Sequence, residues 1–259
     1  MGGRMELTTN VRRRFARAAA TYDAHAEAQQ RICRHLVEML PDDELGRFRR
    51  VLEIGCGSGC LTRALMARID GGEWTLNDLC EHWRPALEEL TVGRTCRFLF
   101  GDAERLPLGG PYDLIASASA LQWMRDLPAF LRELRQRLAP GGLLLFNTFT
   151  PDNLKEIRLL TGEGLDYPSV ESLADWLSSF FSVRRMEESA ITLTFPDPLS
   201  VLRHLKYTGV TGNASVAWTR GEQARFCEAY RERFLTVDGQ VTLTYHPVYV
   251  LASADSNPE

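Results

Sequence analysis

The stretch Val51-Leu-Glu-Ile-Gly-Cys-Gly-Ser-Gly59 joins a short apolar run to three glycines that are spaced two residues apart. Residues 50–54 predict a strand that ends at Gly55, and the apolar spacing of residues 61–69 predicts a helix. Glycine permits positive φ, and it allows a ligand to lie against the turn and the helix N-terminus. The stretch therefore predicts a strand, a tight turn and a helix that together bind a nucleotide-like ligand.

The same order of elements repeats after this turn. Strands are predicted at 73–78, 96–100, 112–117 and 143–149, and helices at 81–90 and 127–138. Strands that alternate with helices over about 100 residues predict a parallel sheet with helices on both faces. We therefore expect an α/β fold with a doubly wound, Rossmann-like sheet that is mostly parallel, with its last strand antiparallel, and with a helical cap.

The segments outside this alternation predict the cap. Residues 11–40 lack Gly and Pro and repeat apolar residues at helical spacing, which indicates one helix or two. Later patterns predict a helix at 172–181, helices at 199–207 and 221–234, and strands at 181–195 and 240–252. We interpret 1–259 as one domain with an N-terminal cap at 11–40, a cofactor-binding core at 48–150, and remaining core strands in 151–259 with cap helices at 151–165 and 197–235.

Composition excludes several classes of protein. Thirty Lys and Arg against 34 Asp and Glu give a net charge of −4, which argues against a nucleic-acid coat protein. The apolar runs are far shorter than the roughly 20 residues that cross a bilayer, and the N-terminus lacks the apolar region of a secretory signal. Six cysteines without a CxxC pair favour a reducing cytoplasm, and Cys56 and Cys60 have no neighbours that complete a metal site. We expect a cytoplasmic protein without a metal, membrane or nucleic-acid partner.

Three acidic residues follow or end the predicted strands. Glu53 precedes the glycine turn, where a carboxylate would repel a pyrophosphate but suits a ligand with an ammonium group. Asp78 ends the second strand, where it can accept hydrogen bonds from ribose hydroxyls. Asp102 follows the third strand and can accept a hydrogen bond from an exocyclic amine. The sequence thus predicts contacts with both a sugar and a base.

These motifs resemble the class I methyltransferases that use S-adenosylmethionine. The resemblance covers the glycine turn, Asn77-Asp78-Leu79, Gly101-Asp102-Ala103, Tyr112-Asp113-Leu114-Ile115 and Leu138-Ala-Pro-Gly-Gly142, in order and spacing. It implies S-adenosylmethionine as the methyl donor and S-adenosylhomocysteine as the product. By this resemblance the glycines approach the methionine moiety, Asp78 binds the ribose, Leu79 packs on the adenine ring, and Asp102 and the amide of Ala103 bind adenine. The full expected set of cofactor-binding residues is Glu53, Gly55, Gly57, Gly59, Asp78, Leu79, Asp102, Ala103 and Ser119.

Other segments look like the malonyl-acyl-carrier-protein O-methyltransferases of biotin synthesis. They include residues 15–26, Ser117 to Trp123, Leu202 to Gly212 and Leu243-Thr-Tyr-His246, so the resemblance spans about residues 11–252. It implies methylation of the free carboxylate of a malonyl thioester, on a carrier protein or on coenzyme A, by an enzyme that we expect to be a monomer. One departure is Asn-Asp-Leu-Cys-Glu at 77–81 in place of the commoner Asp-Leu-Ser-Pro, which weakens the predicted helix start after Asp78.

Such a reaction requires positioning more than acid–base chemistry, because a carboxylate is already ionised at neutral pH. Arg203, with Lys206 and Tyr207 on the same helix face, could bind the substrate carboxylate, or it could belong to a solvated or carrier-binding face. Tyr22 and His25 are three positions apart on the N-terminal helix, which could fold over the mouth of the cofactor site. Tyr22 could then act as a lid or contact the substrate, or it could instead pack in the core. Gln122 and Trp123 follow the fourth strand at the edge where such sheets bind ligands, although Trp123 could equally be a core residue.

Three alternatives remain at this stage. A methyltransferase with another small acceptor, such as a quinone precursor or another carboxylic acid, would share the cofactor motifs. A nicotinamide-dependent dehydrogenase would share the fold, but the glycine spacing and Glu53 argue against it. A non-catalytic protein that binds S-adenosylmethionine would keep the cofactor site without turnover.

Overall fold

A seven-stranded sheet forms the centre of the protein in this computed structural model, which describes residues 12–13, 15–16, 18, 21–209 and 218–254. The strand order is β3-β2-β1-β4-β5-β9-β6, and β9 is antiparallel to both of its neighbours. The strands are β1 Arg50–Ile54, β2 Glu73–Asp78, β3 Thr95–Phe100, β4 Tyr112–Ser117, β5 Leu138–Phe149, β6 Ser182–Glu188 and β9 Pro247–Ser253; a separate pair consists of β7 Ile191–Phe195 and β8 Val241–Tyr245. The predicted mostly parallel sheet with an antiparallel last strand is confirmed.

Helices cover the sheet and form the cap. In the described residues they are α1 Glu27–Glu38, α2 Cys60–Met66, α3 Arg84–Leu90, α4 Leu127–Arg137, α5 Lys155–Thr161, α6 Val170–Ser178, α7 Pro198–Tyr207 and α8 Arg220–Phe234. Their N-termini follow local sequence signals: Asp197 caps α7 by accepting from Ser200 N at 2.9 Å, and Thr219 with Glu222 forms a capping box on α8. Within the described segments, none of these helices is long and apolar enough to cross a membrane.

Two long predicted strands are each divided in the structure. Residues 181–195 form β6 and β7, which belong to different sheets, and 240–252 form β8 and β9, which are also in different sheets. The chain changes sheet at Ser189 and Ala190 and again at His246, whose N–H donates to Asn153 Oδ1 rather than to a strand. The sequence pattern missed these breaks because the apolar alternation resumes directly after them.

The remaining boundaries differ by smaller amounts. Residues 81–90 begin as a 3-10 turn at Glu81–Trp83 before α3, and β5 begins at Leu138, earlier than the predicted 143. In the N-terminal cap, residues 21–25 are helical and Ala26 separates them from α1, so the described part contains two helical pieces. The predicted cap helix at 151–165 is limited to α5.

The inner strands are apolar on both faces because helices cover both. Val51, Leu52 and Ile54 of β1 are almost completely buried, as are Leu114 and Ile115 of β4. Residues of one strand thus contribute to two hydrophobic clusters, one on each side of the sheet. This packing fixes the carboxyl ends of β1, β2 and β4 beside one another, and those ends carry the predicted site.

Candidate functional site

A cleft of about 890 Å³, part of it open to solvent, lies at the carboxyl ends of β1, β2, β3 and β4. Open α/β sheets bind ligands at this edge. Nine residues that the sequence predicted for the site border the cleft, and they are Tyr22, Gly55, Gly57, Asp78, Leu79, Asp102, Ala103, Ser119 and Trp123.

The glycine turn forms one wall of the cleft. Gly55 has φ +72°, and a Cβ at this position would overlap the Cβ of Ala120, so the turn after β1 and the turn after β4 approach closely only because residue 55 has no side chain. The N–H groups of Gly55 and Cys56 both donate to Asn77 O, at 2.8 and 3.0 Å. These bonds connect the turn to the end of β2.

Asp78 lies at the junction of the glycine turn and β2. One carboxylate oxygen accepts from Gly57 N at 2.9 Å, and the other accepts from Cys80 N at 2.7 Å. Burial raises the pKa of Asp78 to about 6, although both backbone donors oppose the shift. The carboxylate is therefore held rigidly, and each oxygen keeps capacity to accept a further hydrogen bond.

A charged cluster lies in the loop after β3, next to the end of β2, where Gly101 N donates to Asp78 O at 2.8 Å. Asp102 Oδ1 accepts from Glu104 N at 3.0 Å, and Asp102 Oδ2 accepts from Arg125 Nη2 at 3.3 Å. Arg125 Nε also lies 3.6 Å from Glu104. Arg125 thus contacts two carboxylates and joins the loop after β3 to the loop after β4, and Arg105 Nε also lies 3.6 Å from Asp102 Oδ2.

The turn after β4 contains a strained residue. Ser119 has φ +53°, a left-handed conformation that costs a residue with a Cβ on the order of 1 kcal/mol. Its N–H donates to Asn147 Oδ1 at 2.8 Å, and its carbonyl accepts from Gln122 Nε2 at 2.6 Å. Asn147 and Gln122 therefore hold the turn that points Trp123 toward the cleft wall.

Two unpaired hydrogen-bonding atoms belong to residues of this wall. Ser119 Oγ and Trp123 Nε1 are buried and have no hydrogen-bond partner among the residues that the structure describes. An unpaired buried donor costs about 1–3 kcal/mol, which a bound polar ligand can recover. The arrangement is suited to a ligand with hydrogen-bond acceptors.

Aromatic rings from the N-terminal cap cross the cleft. The Tyr22 ring packs edge-on against Trp83 at 6.1 Å and against Phe15 at 6.4 Å, and Phe15 packs edge-on against Trp123 at 5.9 Å. We call Trp83, Tyr22, Phe15 and Trp123 the aromatic bridge. It links the β2 side of the cleft to the β4 side, and Tyr22 both borders the cleft and packs against the hydrophobic core.

A second contact fastens the cap to the glycine turn. Ser58 lies in the glycine turn, and its Oγ donates to Asp23 Oδ1 at 2.5 Å. Asp23 directly follows Tyr22 in the chain. Gly209, which follows α7, packs on Phe15, since a Cβ there would lie 3.2 Å from the ring. The N-terminal segment thus contacts both the glycine turn and the residue Gly209 that follows α7.

Five predicted site residues do not border the cleft. Glu53 is 1% exposed beneath the turn, where its Oε2 accepts from Thr62 Oγ1 at 2.7 Å and burial raises its pKa to about 8. Gly59 serves helix packing instead, because a Cβ there would lie 2.5 Å from Leu90 Cδ2. Gln122 lies behind the turn and borders a neighbouring cavity.

His25 and Arg203 lie farther away still. His25 Nδ1 contacts Thr21 O at 2.8 Å, and its ring packs on Tyr207 beside a separate polar pocket. The Arg203 side chain is 61% exposed on α7 and donates to Ser200 Oγ at 2.8 Å. Arg203 does not border the cleft, and its exposed side chain is compatible with the alternative of a solvated or carrier-binding face.

Sequence analysis missed several residues of the cleft. Trp83, Cys80 and Phe15 border it, as do Asn77 and Met124. The position of Asn77 directly before Asp78 in the second-strand motif could have indicated its place in the cleft. Trp83 could not be found in this way, because its ring contacts Tyr22, which lies 61 positions earlier in the sequence. Within the described ranges, no group of three potential ligands is placed to bind a metal.

Comparison with known proteins agrees with this geometry. A family model described as a methyltransferase domain matches residues 22–188. The malonyl-[acyl-carrier protein] O-methyltransferase of Porphyromonas gingivalis is 47% identical over 97% of this chain and 100% of its own length. The enzyme of the same name from Haemophilus ducreyi is 41% identical over 93% of this chain and 95% of its own length.

The fold is also found in solved structures. A Haloferax volcanii methyltransferase in complex with the Trm112 methyltransferase activator aligns with a TM-score of 0.63, at 17% identity, over 96% of this chain and 99% of that one. At that identity the likeness concerns the fold alone. The sequence relatives and the methyltransferase domain match show that the chain belongs to the malonyl-[acyl-carrier protein] O-methyltransferase family.

Proposed function

We propose that this enzyme transfers a methyl group from S-adenosylmethionine to the free carboxylate of a malonyl thioester on an acyl-carrier protein. The observation that carries the proposal is the 47% identity to a relative of that name, over the whole length of the relative. The methyl ester would mask the negative charge, so that chain-elongating enzymes of fatty-acid synthesis could accept the product and prime the pimeloyl chain for biotin. The proposal includes coenzyme A as an alternative carrier of the malonyl thioester, and it takes the enzyme to be a monomer.

The residues of the cleft fit S-adenosylmethionine. Asp78 offers two fixed oxygens to the ribose hydroxyls, and Gly55 and Gly57 leave room for the methionine portion beside the turn. Asp102 and the backbone of Ala103 border the end where adenine would bind, and Leu79 would pack on its ring. Glu53 is proposed to act through the turn, since it lies beneath the turn and not in the cleft.

The acceptor needs no general base. A carboxyl group with a pKa near 4 is ionised at neutral pH, so no proton has to be removed before attack.

S-adenosylmethionine supplies the electrophilic methyl group when it is bound. Trp123 Nε1 and Ser119 Oγ are proposed to donate hydrogen bonds to one oxygen of the substrate carboxylate and to leave the other oxygen free to attack. The aromatic bridge excludes water above the reacting atoms. Because an anion and a cation lose charge together in the transition state, a dry and aligned site lowers the barrier.

The carrier protein is proposed to dock near the cap. Exposed basic side chains lie on α7 and α8, and they are Arg203, Lys206, Arg220, Arg225, Arg231 and Arg233. Carrier proteins of this kind present acidic surfaces, so opposite charges would speed association. In this arrangement Arg203 would contact the carrier and not the reacting carboxylate.

The proposed function is tested by methyl transfer from labelled S-adenosylmethionine to malonyl, succinyl and acetyl thioesters of the carrier protein. We expect label on the malonyl thioester as an ester that base hydrolyses, and none on the acetyl thioester, which lacks a free carboxylate. Cofactor binding without transfer to any thioester would instead indicate a non-catalytic binding protein. Label on a base-stable position would indicate a different acceptor atom.

A further inference from the structure

A second cavity lies next to the cofactor cleft, on the far side of the Leu121–Trp123 turn. It has about 1080 Å³ of empty space, part of it open to solvent, and of the described lining residues it shares only Met124 with the cleft. The turn after β4, the end of β5 and the segment before α6 form its walls. Gln122, which donates to Ser119 O, connects it to the turn that we assign to the acceptor, whereas Arg125, which donates to Asp102, connects it to the loop after β3.

The lining of the second cavity combines apolar surface with buried polar atoms that lack partners. Leu127, Pro128 and Trp176 supply apolar surface. Gln122 Oε1 and Thr148 Oγ1 are buried, and neither has a hydrogen-bond partner in the part of the chain that the structure describes. Thr148 is 0% exposed.

The orientation of the Gln122 side chain is fixed. Its Nε2 donates to Ser119 O at 2.6 Å, and only the amide nitrogen can donate to a carbonyl, so Oε1 is the atom left to accept. Thr148 Oγ1 can either donate or accept. The pair therefore matches a ligand that carries secondary amides, each of which has one donor and one acceptor.

From these observations we propose that the second cavity binds the amide-bearing pantetheine arm to which the malonyl group is joined. This inference rests on the proposed function, because it takes the acceptor to be a thioester of such an arm. A folded carrier is too large to enter the cleft, so an extended chain has to deliver the acyl group. The arm lies in the second cavity, with its amides on Gln122 and Thr148, and the malonyl group passes Met124 into the cleft. The flexible thioether of methionine adapts to such passage.

Thioesters of different length test this inference. The substrates are malonyl-carrier protein and malonyl-coenzyme A, which share the arm, and the malonyl thioester of ethanethiol, which has no amide. Thr148→Val removes the hydroxyl with little change in shape. We expect it to lower kcat/KM by about fivefold with both arm-bearing substrates and by less than about twofold with the ethyl thioester. Thr148→Ser, which keeps the hydroxyl, should lose less than Thr148→Val.

A surface variant keeps the test valid if Thr148→Val does not fold. Asp166 is exposed at the rim of the second cavity, and Asp166→Trp narrows the entrance without disturbing the core. It should again impair the arm-bearing substrates selectively. The matched control is Asp152→Trp, at an exposed position that does not border the cavity.

The outcomes separate this inference from the proposed function. If the wild-type enzyme methylates no malonyl thioester, the proposed function fails. If it methylates the ethyl thioester but both variants lose the same factor on every substrate, or lose nothing, the assignment of the cavity is overturned. A loss confined to coenzyme A or confined to the carrier also overturns it, because the contact would then involve the nucleotide or the carrier protein and not the shared arm.

Discussion

The two sides of the cleft differ in how far apart their interacting residues lie along the chain. On the cofactor side, Asp78 contacts Gly57 and Cys80, which are 21 and two positions away. On the side proposed for the acceptor, the Phe15 ring packs on Trp123, and Gly209, which follows α7, packs on Phe15. Strand ends and glycine turns are local features, whereas the aromatic bridge exists only after the cap has folded over the sheet.

This difference explains which predictions the structure supports. The parallel sheet, its antiparallel last strand and the cleft position of Gly55, Asp78 and Asp102 follow from motifs at strand ends. Arg203 and His25 were selected from charge and spacing on single helices, and both lie outside the cleft lining. Helical spacing tells which residues share a face, but the partner of that face is decided by packing between elements distant in sequence.

The divided strands illustrate the same limit. Residues 240–252 alternate as one strand should, yet His246 interrupts them because its N–H pairs with Asn153 and its ring with Thr150 Oγ1 at 2.8 Å. Both partners lie more than 90 positions earlier in the chain. No property of the strand sequence itself indicates such a partner.

The largest effect is expected on the cofactor side. Asp78→Ala should weaken the binding of S-adenosylhomocysteine by about 10- to 100-fold, because it removes both acceptors for the ribose hydroxyls. Isothermal titration calorimetry measures the dissociation constant. Asp113→Ala is a matched control, because Asp113 also accepts from two backbone N–H groups, of Arg49 and Arg50 at 2.8 Å, but at the opposite edge of the sheet. Equal affinities for the two variants would refute the assignment of Asp78.

The next effect concerns the aromatic bridge. Tyr22→Ala should lower kcat/KM by about tenfold, because it removes the ring between Trp83 and Phe15 and admits water. Tyr22→Phe keeps the ring and should lose less than about threefold. Steady-state kinetics with malonyl-carrier protein compares them. If both variants lose the same factor, the hydroxyl and not the ring packing is the important feature of Tyr22.

The buried carboxyl group of Glu53 should make the stability of the folded protein depend on pH. Burial raises its pKa from 4.5 to about 8, so the folded protein binds more protons than the unfolded chain between these values, and stability falls as pH rises through this window. Glu53→Gln removes this dependence. As pH rises from 5 to 8.5, the free energy of unfolding of the variant relative to that of the wild type should increase by about 2–4 kcal/mol, as measured by urea unfolding. If the free energies of unfolding of the wild type and Glu53→Gln differ by the same amount at every pH in this range, the raised pKa is contradicted.

The smallest effect is expected for the exposed cap. Arg203→Ala should change kcat/KM by less than about twofold with the malonyl ethyl thioester, because its side chain faces solvent. With malonyl-carrier protein at low salt a modest loss is expected, and it should disappear at high salt as charges are screened. A large loss with the ethyl thioester would place Arg203 at the reacting carboxylate after all.

The most direct test of the central claim, that the cleft has separable cofactor and acceptor sides, pairs two measurements on Trp123→Phe. This variant keeps an aromatic ring beside Phe15 and removes the Nε1 donor, which has no hydrogen-bond partner among the residues that the structure describes. We predict a loss of about tenfold in kcat/KM for malonyl-carrier protein with an unchanged dissociation constant for S-adenosylhomocysteine. Asp78→Ala, in contrast, should raise that dissociation constant. Unchanged turnover, or a cofactor affinity that falls in step with kcat/KM, would contradict the account.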